Sequence, residues 1–198
     1  MRLLRSGMAA IAIAVMSLTS VEAWAVDAVS VPAQKQTMAK LYLGAEEVPG
    51  FLSSKNGKTL FIDVRTPAEL MFVGNTPVVD ANVPFKFNST AKFDEKKGAF
   101  VLADNPKFVA QVEGRLAAKS LAKTDPVVLM CRSGDRSAVA ADDLTTAGFT
   151  QVYSVVDGFE GDLAKDGPNA GRRAVNGWKN KGLPWGYALD KAKLMLDN

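Results

Sequence analysis

The chain has 198 residues, 47% hydrophobic and 23% charged, which allows one medium-sized globular domain and not two ordinary ones. It has no histidine and a single cysteine, Cys131; this excludes Ser-His-Asp triads, Cys-His proteases, imidazole or thiolate metal centres and internal disulfides. The formal charge of +3 is spread along the chain, and Lys96-Lys97 and Arg172-Arg173 read as solvated surface rather than a basic stripe, so nucleic acid is not an expected partner.

Residues 1–25 read as a secretory signal peptide: Arg2 and Arg5 precede a short apolar run, Ala9 to Leu18, and Ala23-Trp24-Ala25 supplies the cleavage pattern. The apolar run is well short of the ~20 residues a spanning helix needs. The mature protein is therefore expected to be soluble and outside the cytoplasm, periplasmic in a Gram-negative cell, with no membrane contact after cleavage. In an oxidising compartment a lone cysteine is either a buried hydrophobe or a reactive thiol, and its neighbours must decide.

Residues 26–42 are small and polar and are expected to form a loosely held arm. Gly44 to Leu52 suggests a short helix, broken or kinked near Pro49-Gly50. Thr59 to Arg65 is an apolar, partly β-branched run expected to be a buried strand feeding a turn at Thr66-Pro67. Asp80 to Phe85 is a second short strand, and Asn88 to Lys97 a polar, charged loop. Asp104 to Lys123 has the clearest helical stripe, with Asp104 or Asn105 as cap, Pro106 at the first helical position, and Phe108, Val109, Val112, Leu116 and Leu121 apolar. Pro126 to Met130 is a continuous apolar strand, Ser137 to Ala147 an amphipathic helix closed by Gly148, and Val152 to Val156 another buried strand. Glu160 to Asn176 reads as a long surface loop.

Strands alternating with helices predict an α/β fold with a largely parallel sheet, spanning residues 43–190 with a tail from 191 to 198. In such sheets sites form where strands end and helices begin. Cys131 stands there, followed by Arg132-Ser133-Gly134-Asp135-Arg136. A turn of this kind aims backbone N–H groups inward, and the next helix adds its positive end, which together stabilise a sulfur anion. Arg132 and Arg136 add charge for an anionic substrate, Gly134 permits a tight turn, and Ser133 and Ser137 can donate hydrogen bonds, Ser137 also as a helix cap. These neighbours favour a nucleophilic thiol over a buried structural one.

The run from Val127 to Gly161 resembles the active-site half of a rhodanese domain. Phe61 to Leu70 (FIDVRTPAEL) is similar to the family's other characteristic segment, and Gly177-Trp178 with Lys181 to Trp185 to its C-terminal end. The resemblance covers about residues 43 to 186 and implies a three-layer sandwich with a central mostly parallel sheet. It also implies that a small anionic donor such as thiosulfate gives its outer sulfur to Cys131. The persulfide then passes the sulfur to cyanide or to a thiol acceptor, possibly on a protein. No metal or cofactor is implied. The amides of Arg132 to Arg136 would cradle the persulfide, with Arg132, Ser133, Gly134, Asp135, Arg136 and Ser137 binding substrate and Asp63 and Arg65 supporting the loop from beneath. Arg132, where mercaptopyruvate users carry glycine, favours thiosulfate. The segment Met71 to Pro77 lacks the family's usual histidine, and Asp162 to Asn176 reads as an insertion.

Phosphatases and arsenate reductases of related architecture place five residues between cysteine and arginine. Here four separate Cys131 from Arg136, a tighter bowl suited to one sulfur atom. Two further readings stay open: a non-turnover module that carries a persulfide or binds a partner in an exported redox or sulfur pathway, and a thiol redox sensor, which would lack a resolving cysteine within the chain.

Overall fold

The computed structural model describes residues 26–196, so the expected signal segment lies outside the described residues. In chain order the elements are β1 (Tyr42–Leu43), α1 (Val48–Ser54), β2 (Leu60–Asp63), α2 (Pro67–Val73), β3 (Ala81–Asn82), β4 (Lys86–Phe87), β5 (Phe93–Asp94), β6 (Ala99–Phe100), β7 (Ala103–Asp104), α3 (Phe108–Ala118), β8 (Val127–Met130), α4 (Asp135–Thr146) and β9 (Val152–Val155). The central sheet has five strands in the order β1-β9-β8-β2-β3, and all its pairings are parallel.

β2 and β8 are buried at every position, as strands covered on both faces must be, and this is why β8 and the first three residues of β2 read as apolar runs. Successive side chains point to opposite faces. Leu60, Ile62, Val127, Leu129 and Cys131 join Phe108, Val112 and Leu116 of α3 and Ala140, Ala141 and Leu144 of α4. Phe61, Val128 and Met130 join Val48 and Phe51 of α1, together with Phe159 and Trp178. Trp178 is held by its indole N–H, which donates to Pro184 O at 2.9 Å. The result is a helix–sheet–helix sandwich, the layering the alternation of elements predicts. Among the described residues no helix is long and apolar enough to cross a membrane.

Several element ends depart from the sequence reading. Thr66-Pro67 does not make a simple turn; it starts α2. Thr66 Oγ1 accepts from the Glu69 amide at 3.2 Å, and Glu69 Oε2 accepts from the Thr66 amide at 3.0 Å, a reciprocal cap with proline at the first helical position. Pro49 likewise starts α1 instead of breaking it, after a 3-10 turn over Ala45–Glu47. α3 is shorter than Asp104 to Lys123, because Asp104 is extended in β7 and Asn105 caps a turn that precedes the helix. Asn105 Oδ1 accepts from the Lys107 amide at 3.0 Å, and Pro106 lies inside that turn. α4 begins at Asp135 with Gly134 in the capping position, so Ser137 sits in the first turn and is not the cap.

Two segments expected to be irregular are organised. Around Asn88 to Lys97, β4 pairs with β7 and, inside that ladder, β5 pairs with β6. The arm is not loose: Val31, Lys35 and Thr37 are buried, Met38 donates its amide to Asp142 of α4 at 2.7 Å, and Lys35 Nζ bonds Asp162 at 2.6 Å. Tyr42, placed in the arm by sequence, belongs to β1. The excursion from Asp162 to Asn176 is pinched at its base, where a Cβ on Gly161 would lie 1.8 Å from Asn176 O. Only glycine permits that backbone approach.

Candidate active site

β8 ends at Met130 and α4 starts at Asp135, so Cys131 to Gly134 form the crossover at the carboxyl end of the sheet. Gly134 adopts φ +97°, and a Cβ there would meet Val156 O at 2.1 Å. A residue without a side chain therefore lets the loop lie against the end of β9, which aims the Gly134 amide at Cys131 Sγ at 3.1 Å. Ser137 Oγ stands 3.5 Å from the same sulfur and 3.0 Å from Gly134 O, and accepts from Ser154 Oγ at 2.9 Å. The first-turn amides of α4, those of Asp135 and Arg136, have no partner within the helix and carry the positive end of its dipole. From behind, the loop carbonyls are fixed: Phe159 N donates to Cys131 O at 2.8 Å and Glu160 N to Arg132 O at 2.9 Å.

Cys131 is only 1% exposed, yet it lines a pocket of about 480 Å³ together with Arg132, Ser133, Asp135 and Arg136. Gly134 and Ser137 lie behind the sulfur and do not line the pocket. Arg132 and Asp135 are exposed at the rim and Ser133 is buried. Arg132 makes no ion pair among the described residues.

Arg136 is committed elsewhere. Its guanidinium binds Glu69 of α2 with Nη1–Oε2 at 2.8 Å and Nη2–Oε1 at 2.5 Å, a bidentate clamp across the pocket mouth. Burial opposes the charge of both groups. The hydrogen bonds and attraction between them outweigh it, holding Glu69 below its ordinary value of 4.5 and pushing Arg136 upward, with the nearby Cys131 adding to the latter. Because the folded Glu69 is the stronger acid, the clamp contributes fully above pH 4.5 and is lost as pH falls through the lower folded value. The thermal midpoint of Glu69→Gln is expected to lie below wild type at neutral pH, with the gap closing in acid; melting curves at neutral and acidic pH check this, and a pH-independent gap contradicts it.

Asp63 and Arg65 do not reach the pocket. Both are fully buried and paired, Arg65 Nη2 to Asp63 Oδ2 at 2.6 Å. Arg65 also donates to Gly74 O at 3.0 Å and stacks over Phe159 with 3.8 Å to the ring centroid. Since the Phe159 amide holds the Cys131 carbonyl, the pair braces the loop through one intermediary. Glu69, Lys86 and Phe100 line the pocket without being sequence candidates, and Lys97, read from sequence as solvated surface, lines it too; only Glu69 carries a sequence signal, as the third residue after Thr66 in a capping box. Among the described residues no group of three or more His, Cys, Asp or Glu is placed to hold a metal ion.

Known proteins resemble the chain in sequence and in fold. A rhodanese-like domain model matches residues 50–165. Thiosulfate sulfurtransferase 16, chloroplastic, of Arabidopsis thaliana is 34% identical over 107 residues, 54% of this chain and 75% of that protein. Thiosulfate sulfurtransferase GlpE of Tolumonas auensis is 31% identical over 102 residues, 50% of this chain and 84% of that protein. The crystal structure of Rv0390 from M. tuberculosis superposes with a TM-score of 0.55 at 32% identity, covering 74% of this chain and 97% of that one. The chain belongs to the rhodanese-like family, the family of sulfurtransferases that these relatives represent.

Proposed function

We propose that this protein is a thiosulfate sulfurtransferase working through a persulfide on Cys131. The Cys131 thiolate attacks the outer sulfur of thiosulfate. A bond from Sγ to that sulfur forms, the sulfur–sulfur bond of the donor breaks, and sulfite leaves with the electron pair. A cyanide or thiolate acceptor then takes the outer sulfur and Sγ leaves as thiolate, so no outside oxidant or reductant is needed.

The observation that carries this reading is the recessed thiol. Sγ sits at the bottom of the pocket with the Gly134 amide and Ser137 hydroxyl against it. One added sulfur, at a bond length of about 2.05 Å, extends the reactive atom toward the pocket while the loop supports it from behind. Arg132 at the rim suits a dianionic donor, and the relatives' names point to the same donor. The leader pattern of residues 1–25 supports action outside the cytoplasm.

Intact-mass spectrometry tests both parts. Protein recovered from the periplasm of a Gram-negative host is expected to begin at Val26 and to gain about 32 Da with thiosulfate, a gain removed by cyanide and absent in Cys131→Ser. No gain on a demonstrably free thiol refutes thiosulfate as donor, and an uncleaved leader refutes the export reading.

A further inference from the structure

A second pocket, of about 360 Å³, lies between α2, the sheet-edge strand β3 and the C-terminal tail. It shares no lining residue with the pocket over Cys131. Leu70, Val79, Pro184, Trp185, Leu189 and Leu194 give it apolar walls. Trp185 is fixed in place: its ring lies against Gly74, where a Cβ would come within 2.8 Å, and Lys179 Nζ stands 3.9 Å from its centroid. The tail forms the roof and is tied down at both ends. Asn75 and Gly186 exchange backbone hydrogen bonds at 2.8 Å, and Asn75 Nδ2 donates to Ala188 O at 3.0 Å. Arg115 donates to Ala192 O at 2.9 Å and to Leu194 O at 2.7 Å. Protein interiors ordinarily close to crystal-like density, and a roof pinned in this way keeps the walls apart.

Two polar side chains of the lining have hydrogen-bonding capacity left over. Asn82 is 2% exposed and spends both amide hydrogens on the carbonyls of Asp63 and Arg65, at 2.9 and 2.8 Å. Its Oδ1 has no partner among the described residues. Thr76 is 1% exposed. Its Oγ1 accepts from the Val78 amide at 3.2 Å, and its hydroxyl hydrogen has no acceptor among the described residues. Buried groups of this kind are ordinarily satisfied, so the pair offers an occupant one acceptor and one donor. The charged residues of the lining are Asp190 and Lys193. Asp190 is exposed and accepts from the Ala192 amide at 3.0 Å, and Lys193 Nζ donates to Pro77 O at 2.6 Å. Their charges cancel, so an ionised occupant would be buried without a net countercharge.

Size narrows the class further. An apolar cavity of about 150 Å³ accommodates benzene, so about 360 Å³ takes two fused rings with a small substituent. We infer that this pocket is a binding site for a neutral bicyclic aromatic compound carrying an amide. The amide N–H donates to Asn82 Oδ1, its carbonyl accepts from the Thr76 hydroxyl, and the rings lie among the apolar walls. Binding there does not depend on the chemistry at Cys131.

Titration of the purified protein with 1-naphthamide, followed by calorimetry and by backbone-amide NMR shifts, tests this. Two probes of the same shape serve as comparisons: 1-naphthoate, which adds a charge, and 1-acetylnaphthalene, which keeps the carbonyl and lacks the N–H. 1-Naphthamide is expected to bind about tenfold more tightly than either, the scale of leaving one buried polar group without its partner. The shifts are expected on residues 74–82 and 185–194 and not on residues 131–136. Thr76→Val is expected to weaken 1-naphthamide about tenfold, and Thr76→Ser, which keeps the hydroxyl, to bind it as wild type does. If the valine variant fails to fold, the probe series on the wild-type protein still decides. Equal binding of 1-naphthoate or 1-acetylnaphthalene, shifts centred on the Cys131 loop, or no binding of 1-naphthamide up to its solubility limit overturns the assignment.

Discussion

Replacing Cys131 by serine is expected to lower sulfur transfer by at least ~1,000-fold, the scale seen when a covalent nucleophile is removed, while leaving the fold in place. The hydroxyl is a poor nucleophile at neutral pH and cannot carry a transferable sulfur. It is also close in size to the thiol. It sits where the Gly134 amide at 3.1 Å and the Ser137 hydroxyl at 3.5 Å already supply partners, so no buried polar group is orphaned. Arg132→Ala separates binding from chemistry. Arg132 is exposed at the rim, free of an ion pair among the described residues, and its loss is expected to raise KM for thiosulfate about tenfold, one charge-assisted contact, with kcat little changed. Steady-state kinetics of both variants with thiosulfate and cyanide check the pattern. A Cys131→Ser protein that retains turnover, or an Arg132→Ala protein whose loss lies in kcat, contradicts it.

Arg65→Leu is expected to destabilise the protein by about 3–5 kcal/mol, because it strands the Asp63 carboxylate, fully buried, without its countercharge. For a chain of this size that corresponds to a fall in thermal midpoint on the order of 10 °C. The remaining bonds do not compensate. Asp63 Oδ1 keeps only the Arg65 backbone amide at 2.9 Å, and Asn82 Nδ2 bonds the backbone carbonyls of residues 63 and 65 and not the carboxylate. The double variant Asp63→Asn with Arg65→Leu removes the stranded charge and is expected to recover a large share of the loss, so the two changes are strongly non-additive. Chemical denaturation of the two single variants and the double variant measures the coupling. Loss of the stack beneath Phe159, 3.8 Å from the guanidinium, is also expected to slow persulfide formation in the folded double variant, because the Phe159 amide positions the Cys131 carbonyl.

The parallel sheet and the position of Cys131 were legible in the amino-acid order for local reasons. Strands buried on both faces are mostly apolar, and Val127–Met130 announces itself that way throughout, as do Leu60, Phe61 and Ile62 before Asp63 in β2 and the valines of Val152–Val155. A cysteine directly after such a run and before an amphipathic stretch lies at a strand's carboxyl end whatever the strand order. Gly148 marks the end of α4 by the same logic, adopting φ +92° where the helix stops. Short elements were harder: α2 has seven residues, too few for a helical stripe, and its one signal was the spacing of Thr66 and Glu69.

The rest depended on which segments meet. β2 and β8 are parallel neighbours, so their carboxyl ends lie side by side and the helices that follow them begin together. That is why Glu69 and Arg136, 67 positions apart, form a clamp, and why an arginine of the pocket lining is also paired with a carboxylate. The Lys35–Asp162 bond, across 127 positions, fastens the arm by the same kind of contact. The hairpin from Lys86 to Asp104 folds over the pocket through pairings only two residues long, beyond the reach of any periodic pattern. Periodicity and capping rules act over one turn or one strand, whereas a pocket is made by the order in which strands are stacked, and here that order supplies both the floor beneath Cys131 and the wall opposite it.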